Sequence, residues 1–278
     1  MIAAVLGVLA AAFYGGADFC GGLATRRTTM LSVTVISQGA GLVLLLGLLP
    51  FFPARVHAAD LGWAALAGIC GGAGIALLYH ALSVGKMGVV SPITAVLAAA
   101  VPVAFGAFRG DRLGLGQALG IAIALVAVVM ISSSTEADGT REFSTRGVKE
   151  AVASGLILGG FYVFLAHARP GMGLDPLVGA RVSSVLFLVL LAAVTKTDLR
   201  PRGGTLPLIL FCGAIDMTAN ALYLLATYKG QLAVAAVLTS LYPASTVLLA
   251  RVVLKERLRL IQKLGVGLAL IGVALIAA

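Results

Sequence analysis

The chain has 278 residues, of which 60% are hydrophobic and only 11% are charged, and its mean hydropathy is +1.07. A soluble domain needs far more charge on its exterior, so this composition excludes one and indicates lipid as the outer solvent. The formal net charge of +9 does not indicate nucleic-acid binding, because the basic residues lie in short segments between apolar runs. Cys20, Cys70 and Cys212 fall inside apolar runs without metal-ligand spacing, which predicts small buried hydrophobes.

Ten apolar stretches of about 20 residues follow one another, each long enough to cross the roughly 30 Å hydrocarbon core as an α-helix. The predicted spans are 2–24, 31–51, 61–83, 88–108, 113–132, 148–168, 174–195, 206–228, 232–254 and 259–277. The first stretch lacks a basic leader and carries Tyr14 and Asp18, so we interpret it as a retained helix and not a signal peptide. Gly-x-x-x-Gly runs at 68–72, 116–120 and 155–159 predict close helix packing. The sequence therefore predicts an all-α integral membrane protein.

Two halves of the chain repeat each other at a spacing of 145 residues. The segments 111–120 and 256–265 share the pattern acidic-Arg-Leu-x-Leu-x-Gln-x-Leu-Gly. Such a repeat indicates duplication, and it divides the chain into a first five-helix repeat (1–132), a polar linker (133–147) and a second five-helix repeat (148–278). Because five is odd, the second repeat enters the membrane from the opposite side, which makes an inverted-topology repeat.

The positions of Lys and Arg predict the orientation. Loops after the odd-numbered spans hold 14 of them, whereas loops after the even-numbered spans hold 5. The positive-inside rule then places the linker in the cytoplasm and both termini outside.

The repeated segment resembles a motif of the drug/metabolite transporter superfamily, EamA type, which reads roughly Gly-Glu-Arg-Leu-x-x-x-Gln-x-x-Gly. The matching residues are Gly110, Asp111, Arg112, Leu113, Gln117 and Gly120 in the first copy, and Glu256, Arg257, Leu258, Gln262 and Gly265 in the second. Lys255 replaces the first glycine of the motif in the second copy. The resemblance implies a ten-helix transporter of small metabolites or drug-like solutes, commonly an exporter. In many members both termini are cytoplasmic, opposite to the orientation that the charge count gives.

Ionisable side chains inside the predicted spans cost about 2.5–3.5 kcal/mol each at the centre of a membrane helix. Asp216 lies near the midplane, and Asn220, Tyr223 and Thr227 follow it along one face of span 8. We interpret this stripe as one wall of a solute cavity, with Asp216 as a proton or cation site. Interhelical hydrogen bonding without transport is the alternative.

Arg181 lies about 10 Å into span 7. Its guanidinium can pair with Asp216 or bind a substrate carboxylate. The alternative is a side chain that snorkels to the membrane interface.

Two further ionisable residues lie nearer to the ends of their spans. Asp18 follows Tyr14 by one turn, and an interaction with Arg26, Arg27 or lipid headgroups is the favoured interpretation. His80, beside Tyr79, is interpreted as a structural histidine in preference to a proton relay. Together, the substrate- or ion-binding candidates are Asp216, Asn220, Tyr223, Arg181, Tyr14, Asp18, Tyr79, His80 and Tyr242.

Pro92, Pro102 and Pro243 lie inside spans 4 and 9 and are candidate helix breaks. Pro102 and Pro243 occupy nearly equivalent positions of the two halves, and the resembled family also has prolines late in these helices. Side chains able to satisfy the freed carbonyls are Ser91, Thr94, Thr239 and Ser240. Paired breaks indicate the binding site of a repeat transporter, which Tyr242 would also line. A static kink at each proline is the alternative.

These features predict a secondary transporter that works by alternating access, with the site at the interface between the repeats. A membrane scaffold or sensor and an intramembrane enzyme are the alternatives; the sequence has no nucleophile–base motif or metal-ligand cluster to favour catalysis. No phosphate-binding loop or cofactor motif occurs, so the energy would come from a gradient of the solute, a proton or another ion. The expected partners are a small-molecule solute and the bilayer of a plasma (bacterial inner) membrane, and the oligomeric state stays open.

Overall fold

The computed structural model describes residues 2–51, 58–108, 114–132, 147–165, 173–229, 239, 242–255 and 260–277, and these residues form α-helices without β-strands. In chain order the helices are α1 (Ile2–Thr25), α2 (Met30–Leu48, extended by a 3₁₀ turn at Leu49–Phe51), α3 (Ala58–Val84), α4 (Met87–Phe108), α5 (Leu115–Ser132), α6 (Val148–Leu165), α7 (Asp175–Val194), α8 (Leu206–Lys229), α9 (Tyr242–Val253) and α10 (Leu260–Ala277).

Six helical segments of the described chain are long and apolar enough to cross a membrane: Val5–Thr25, Met30–Phe51, Gly62–Val84, Val148–Leu165, Asp175–Val194 and Leu206–Ala226. Their outer faces expose large apolar side chains, among them Val43 at 72% and Leu190 at 65%, as expected for surfaces in contact with lipid. The chain is therefore a multi-pass integral membrane protein. The count of ten spans stays a prediction, since the ninth begins in residues outside the described ranges.

Local sequence explains several helix ends. Thr29 caps α2, where its hydroxyl accepts the backbone N–H of Ser32 (3.2 Å). Pro176 occupies the first turn of α7, where a missing N–H costs no helical hydrogen bond. Lys196 ends α7 with a positive φ of 50°, while the N–H of Thr197 donates back to the carbonyl of Ala192 (2.9 Å).

The loop from α7 to α8 carries an exposed ion pair outside the membrane-spanning segments. Asp198 Oδ1 accepts the backbone N–H of Arg200 (3.0 Å), and the guanidinium of Arg202 lies 3.5 Å from Asp198 Oδ2. The backbone hydrogen bond from Arg200, assisted by Arg202, lowers the pKa of Asp198.

The helices pack in pairs that correspond when the two halves are exchanged, with α1–α5 matching α6–α10. The α1–α8 contact corresponds to α3–α6, the α2–α8 contact to α3–α7, and the α1–α9 contact to α4–α6. Three contacts among the described helices, α5–α10, α2–α7 and α4–α9, join a helix to its own counterpart. The repeat in the sequence thus reappears as a two-fold pattern of packing.

Glycines allow the closest of these contacts. A Cβ added at Gly68 on α3 would lie 2.8 Å from the carbonyl carbon of Ala180 on α7. A Cβ at Gly213 on α8, 145 residues later, would lie 2.8 Å from the carbonyl carbon of Ser37 on α2. A Cβ at Gly155 on α6 would lie 2.8 Å from the carbonyl oxygen of Thr94 on α4. The close packing predicted for the 68–72 and 155–159 runs is confirmed. In the 116–120 run, a Cβ at Gly116 would make only an ordinary contact, 3.9 Å from the carbonyl oxygen of Leu275.

The helix break predicted in span 4 is absent, because α4 runs unbroken through Pro92 and Pro102. One missing hydrogen bond does not interrupt a helix that its neighbours hold in place. The hydroxyl of Thr94 donates to the carbonyl of Ala151 on α6 (3.2 Å), so it serves helix packing instead of a freed carbonyl. Pro243 is the second residue of α9 and comes shortly after residues 240 and 241, which lie outside the described ranges, so the break predicted at Pro243 stays a prediction. The repeated motif residues 109–113 and 256–259 also lie outside them.

A polar cavity between the two halves

A cavity of about 70 Å³ lies between the helices of the first half and those of the second. Its wall consists of Tyr14, Asp18, Gln38, Gly68, Gly71, Gly72, Ile75 and Leu78 from α1–α3, and of Leu158, Phe161, Tyr162, Leu177, Ala180, Arg181, Ser184, Asp216, Asn220 and Tyr242 from α6–α9. One water needs about 10–15 Å³ on a comparable measure. The cavity therefore has room for several waters or for the polar group of a solute.

A buried ion pair forms the charged part of this wall. Arg181 Nη2 donates to Asp216 Oδ2, and Arg181 Nη1 donates to Gln38 Oε1. The side chains of Arg181 and Asp216 are each only 9% exposed. The predicted pairing is therefore present, and the snorkelling alternative is wrong because Arg181 turns into the protein. Asp216, ten residues after the start of α8, lies about 15 Å along that helix.

The predicted polar stripe on α8 contributes two of its members to the cavity. Asn220 Nδ2 donates to the backbone carbonyl of Asp216 (2.8 Å) and lies 3.4 Å from Asp216 Oδ2, so it supports the carboxylate that faces Arg181. Tyr223 is half-buried and does not line this cavity. The side chain of Thr227 lies outside the described residues.

Two tyrosines meet at the cavity where α1 packs on α9. The rings of Tyr14 and Tyr242 make an edge contact, with centroids 6.3 Å apart and planes at 61°. Gly15 permits the approach of the helices, because a Cβ there would lie 2.6 Å from the carbonyl oxygen of Tyr242. The hydroxyl of Thr246 also donates to the carbonyl of Gly15 (3.3 Å). The structure thus places Tyr242 at the cavity, as the sequence predicted.

Asp18 also lines the cavity, which corrects the interpretation that it meets Arg26, Arg27 or headgroups. It is 5% exposed, whereas Arg26 and Arg27 lie beyond the end of α1 and are exposed. Its Oδ2 is buried and has no hydrogen-bond partner among the described residues. The contact of α1 with α8 explains the burial: Cys212 Sγ donates to the carbonyl of Ala17 (3.3 Å) next to Asp18.

The remaining candidates, Tyr79 and His80, lie away from the cavity wall. Tyr79 is 1% exposed, and its hydroxyl is 3.2 Å from Cys212 Sγ, so it belongs to the core between α3 and α8. His80 is half-buried, and its backbone carbonyl accepts the hydroxyl of Ser83 (2.7 Å). The structural role interpreted for its side chain stays a prediction.

Sequence reasoning missed Gln38, Ser184 and the aromatic pair Phe161–Tyr162. Two of these had a signal: Gln38 is an amide inside an apolar run, and Ser184 follows Arg181 at the i+3 spacing that places both on one face of α7. Ser184 Oγ is buried without a hydrogen-bond partner among the described residues.

The two halves contribute unlike residues at equivalent positions. The offset of 145 residues that relates Gly68 to Gly213 also relates Gly71 to Asp216 and Ile75 to Asn220, and all four of these line the cavity. At these two pairs of positions the second half therefore supplies a carboxylate and an amide, while α3 supplies space and an apolar surface.

The fold and the cavity define a class: a multi-pass helical membrane protein with a largely apolar cavity that holds a few charged side chains between two related halves. The chain belongs to the EamA-like transporter family, whose model matches residues 1–133 and again residues 145–278. No curated protein matches the chain. One solved crystal structure, described simply as that of a protein, aligns with a TM-score of 0.67 and 15% sequence identity over 98% of this chain and 95% of that chain. At this identity the likeness shows a shared fold alone.

Proposed function

We propose that the chain is a secondary transporter that exports a small metabolite or drug-like solute across the plasma (bacterial inner) membrane, with the cavity between the halves as its solute site. Membership of a transporter family supports the general activity. The observation that carries the site is a wall shared by both halves, with the charged side chains of Asp18, Arg181 and Asp216 on it.

The energetics of burial favour a functional role for these charges. Replacing a buried ion pair by well-packed apolar residues is often neutral or stabilising, so packing alone gives little reason to keep one. Ionisable side chains within membrane helices are costly and usually mark solute or ion pathways. Arg181 and Asp216 meet both conditions, because they lie inside apolar helices and border a space that can hold water.

The proposed mechanism is alternating access, and the packing of two related halves around the cavity supports it. In an inverted repeat the two halves rock about a central site and expose it to each side of the membrane in turn. The glycine contacts of α3 with α7 and of α8 with α2 are the places where one half touches the other most closely, and we propose that the halves move about them. The cavity would then open alternately on either side of the Arg181–Asp216 pair.

The test is release of metabolites from cells that express the wild type, Asp216→Asn, or Asp198→Asn, each at equal level in the membrane. Asp198→Asn is the matched control, since it makes the same chemical change at an exposed loop position. We expect one compound class to accumulate in the medium with the wild type and Asp198→Asn but not with Asp216→Asn or with empty cells. Identical media for all four would contradict export of a cellular metabolite.

Coupling is tested in the same cells once a compound is identified. Protonation of Asp216 would remove the charge that Arg181 pairs with, so proton coupling through Asp216 requires the pair to open during transport. Flux of the compound is measured with and without an imposed pH gradient. If neither the pH gradient nor the Asp216→Asn change alters the flux of the compound, Asp216 is not the coupling site.

A further inference from the structure

The described cavity wall has two carboxyl groups and one guanidinium group. The guanidinium of Arg181 is matched by the carboxylate of Asp216, to which it donates. Asp18 is the other carboxylate of the wall, and its Oδ2 has no hydrogen-bond partner among the described residues. With all three groups ionised the wall therefore holds one net negative charge, in surroundings where an unpaired charge is costly.

Among the residues that the structure describes, no cationic side chain pairs with Asp18. Helices α2 and α4, which both contact α1, contain no titratable residue. The described groups that act electrostatically on Asp18 or are acted on by it are Asp216 and Cys212 of α8, Tyr79 of α3, Tyr242 of α9 and Tyr162 of α6. Among them only Asp216 is a carboxyl group, and none is a cationic side chain that could pair with Asp18.

The rest of the wall near Asp18 suits an organic cation. Tyr14, one turn before Asp18 on α1, and Tyr242 face each other in an edge contact at the cavity. Aromatic rings attract ammonium groups through their negative faces. Ser184 on the opposite half adds a buried hydroxyl without a partner among the described residues. Arg181 is a poor site for an added carboxylate, since its guanidinium is already engaged by Asp216 and Gln38.

We propose that Asp18 binds the ammonium group of a monocationic, amine-bearing solute, and that a proton competes with this solute for the same carboxylate. The proposal rests on the proposed transport function and names its substrate class. A monocation neutralises the wall, an uncharged solute leaves it at −1, and an anion raises it to −2. The cavity therefore selects by charge before it selects by shape.

The experiment measures binding, not flux, on the full chain purified in lipid nanodiscs. The probes are 2-phenylethylamine, 2-phenylethanol and phenylacetate, which share a carbon skeleton and differ in charge, and the same series built on hexane. We expect the amine to bind the wild type more tightly than the alcohol, and the carboxylate to bind least. Asp18→Asn should weaken amine binding by about tenfold or more, as expected for loss of a charge-assisted contact, whereas Asp198→Asn should leave it unchanged.

A pH series on the wild type keeps the test independent of whether Asp18→Asn folds. Both amines stay charged from pH 5 to 8, because alkylammonium groups titrate near pH ~10. Amine affinity that falls as the pH is lowered, with alcohol affinity unchanged, would therefore report protonation of the protein. Asp18→Glu, which keeps the charge, should retain amine binding and its pH dependence.

Three results would overturn the proposal: equal amine binding by Asp18→Asn and the wild type, tighter binding of the carboxylate than of the amine, or no amine binding at millimolar concentration. If no amine binds, but a dependence of the wild type on pH is lost in Asp18→Asn, then Asp18 is a proton site. That result would refute the proposal that Asp18 binds an organic cation. Solute flux without amine binding would refute this inference and leave the transport function standing. Amine binding without solute flux would support this inference and refute the transport function.

Discussion

The Arg181–Asp216 pair gives the sharpest test of how the cavity is held together. In Asp216→Asn the guanidinium of Arg181 stays buried and loses its counter-charge. In Arg181→Gln the carboxylate of Asp216 stays buried and loses its counter-charge. The double variant removes both charges and leaves two amides of nearly the original size. We therefore expect each single change to destabilise the protein more than the double change does.

The magnitude follows from the burial of the pair. Both side chains are 9% exposed, so solvent screens the interaction little. Removing one partner of a buried pair costs about 3–5 kcal/mol, because an uncompensated charge remains. Asn220 reduces part of the cost in Arg181→Gln, since its amide stays beside Asp216 Oδ2 at 3.4 Å. The double variant should be close to the wild type in stability, since neutral replacement of a buried pair is often tolerated.

The assay is a double-mutant cycle on purified protein, with heat-induced loss of the monodisperse fraction as the readout. The exposed Asp198–Arg202 pair, with side chains 49% and 67% exposed, is the control cycle, and we expect no measurable coupling there. If the double variant of Arg181 and Asp216 is as unstable as the two single effects added together, the two charges do not depend on each other. Our account of the pair would then be wrong.

Three further predictions follow from other parts of the structure. Gly213→Ala should lower the thermal midpoint, because its Cβ would lie 2.8 Å from the backbone of Ser37. Gly47 has open space around it, so Gly47→Ala should leave the midpoint unchanged. Equal midpoints for the two variants would contradict the packing described for α2 and α8. Ser184→Ala should raise the KM for the identified solute several-fold with little change in thermal midpoint, and an unchanged KM would remove Ser184 from the solute site. The lowered pKa of Asp198 means that its stabilising contacts are complete above pH ~4 and are lost as the pH falls through its folded-state pKa, so Asp198→Asn should not alter the pH profile of stability between pH 5 and 8.

The sequence predicted the helices well because apolar runs and loop residues determine where a membrane helix begins and ends. Span 8 was expected at 206–228 and is found at Leu206–Lys229, and span 4 was expected at 88–108 and is found at Met87–Phe108. Arg181 and Asp216 could be paired in advance, since two opposite charges in neighbouring apolar helices have few other partners. These predictions depend on composition and spacing along the chain.

Asp18 and Tyr79 could not be placed in the same way. Which face of α1 is buried depends on its contact with α8, which is nearly 200 residues away in sequence, so distance from the helix end was a poor guide to the depth of Asp18. Tyr79 resembles a cavity residue in the sequence, yet Cys212 engages its hydroxyl in the core. Such positions are decided by contacts between the halves, which no local pattern encodes.

The difference between Gly71 and Asp216 at equivalent positions has a consequence for the resting state of the protein. Under the proposed alternating access between inverted halves, exchanging two identical halves would convert the inward-facing conformation into the outward-facing one, and the two would have equal free energy. Each position at which the halves differ removes that degeneracy. Asp216 and Asn220 form hydrogen bonds in the second half, where the equivalent positions of the first half hold Gly71 and Ile75. We therefore expect one conformation to predominate in the absence of solute and of any ion gradient, with a preference that these few side chains set.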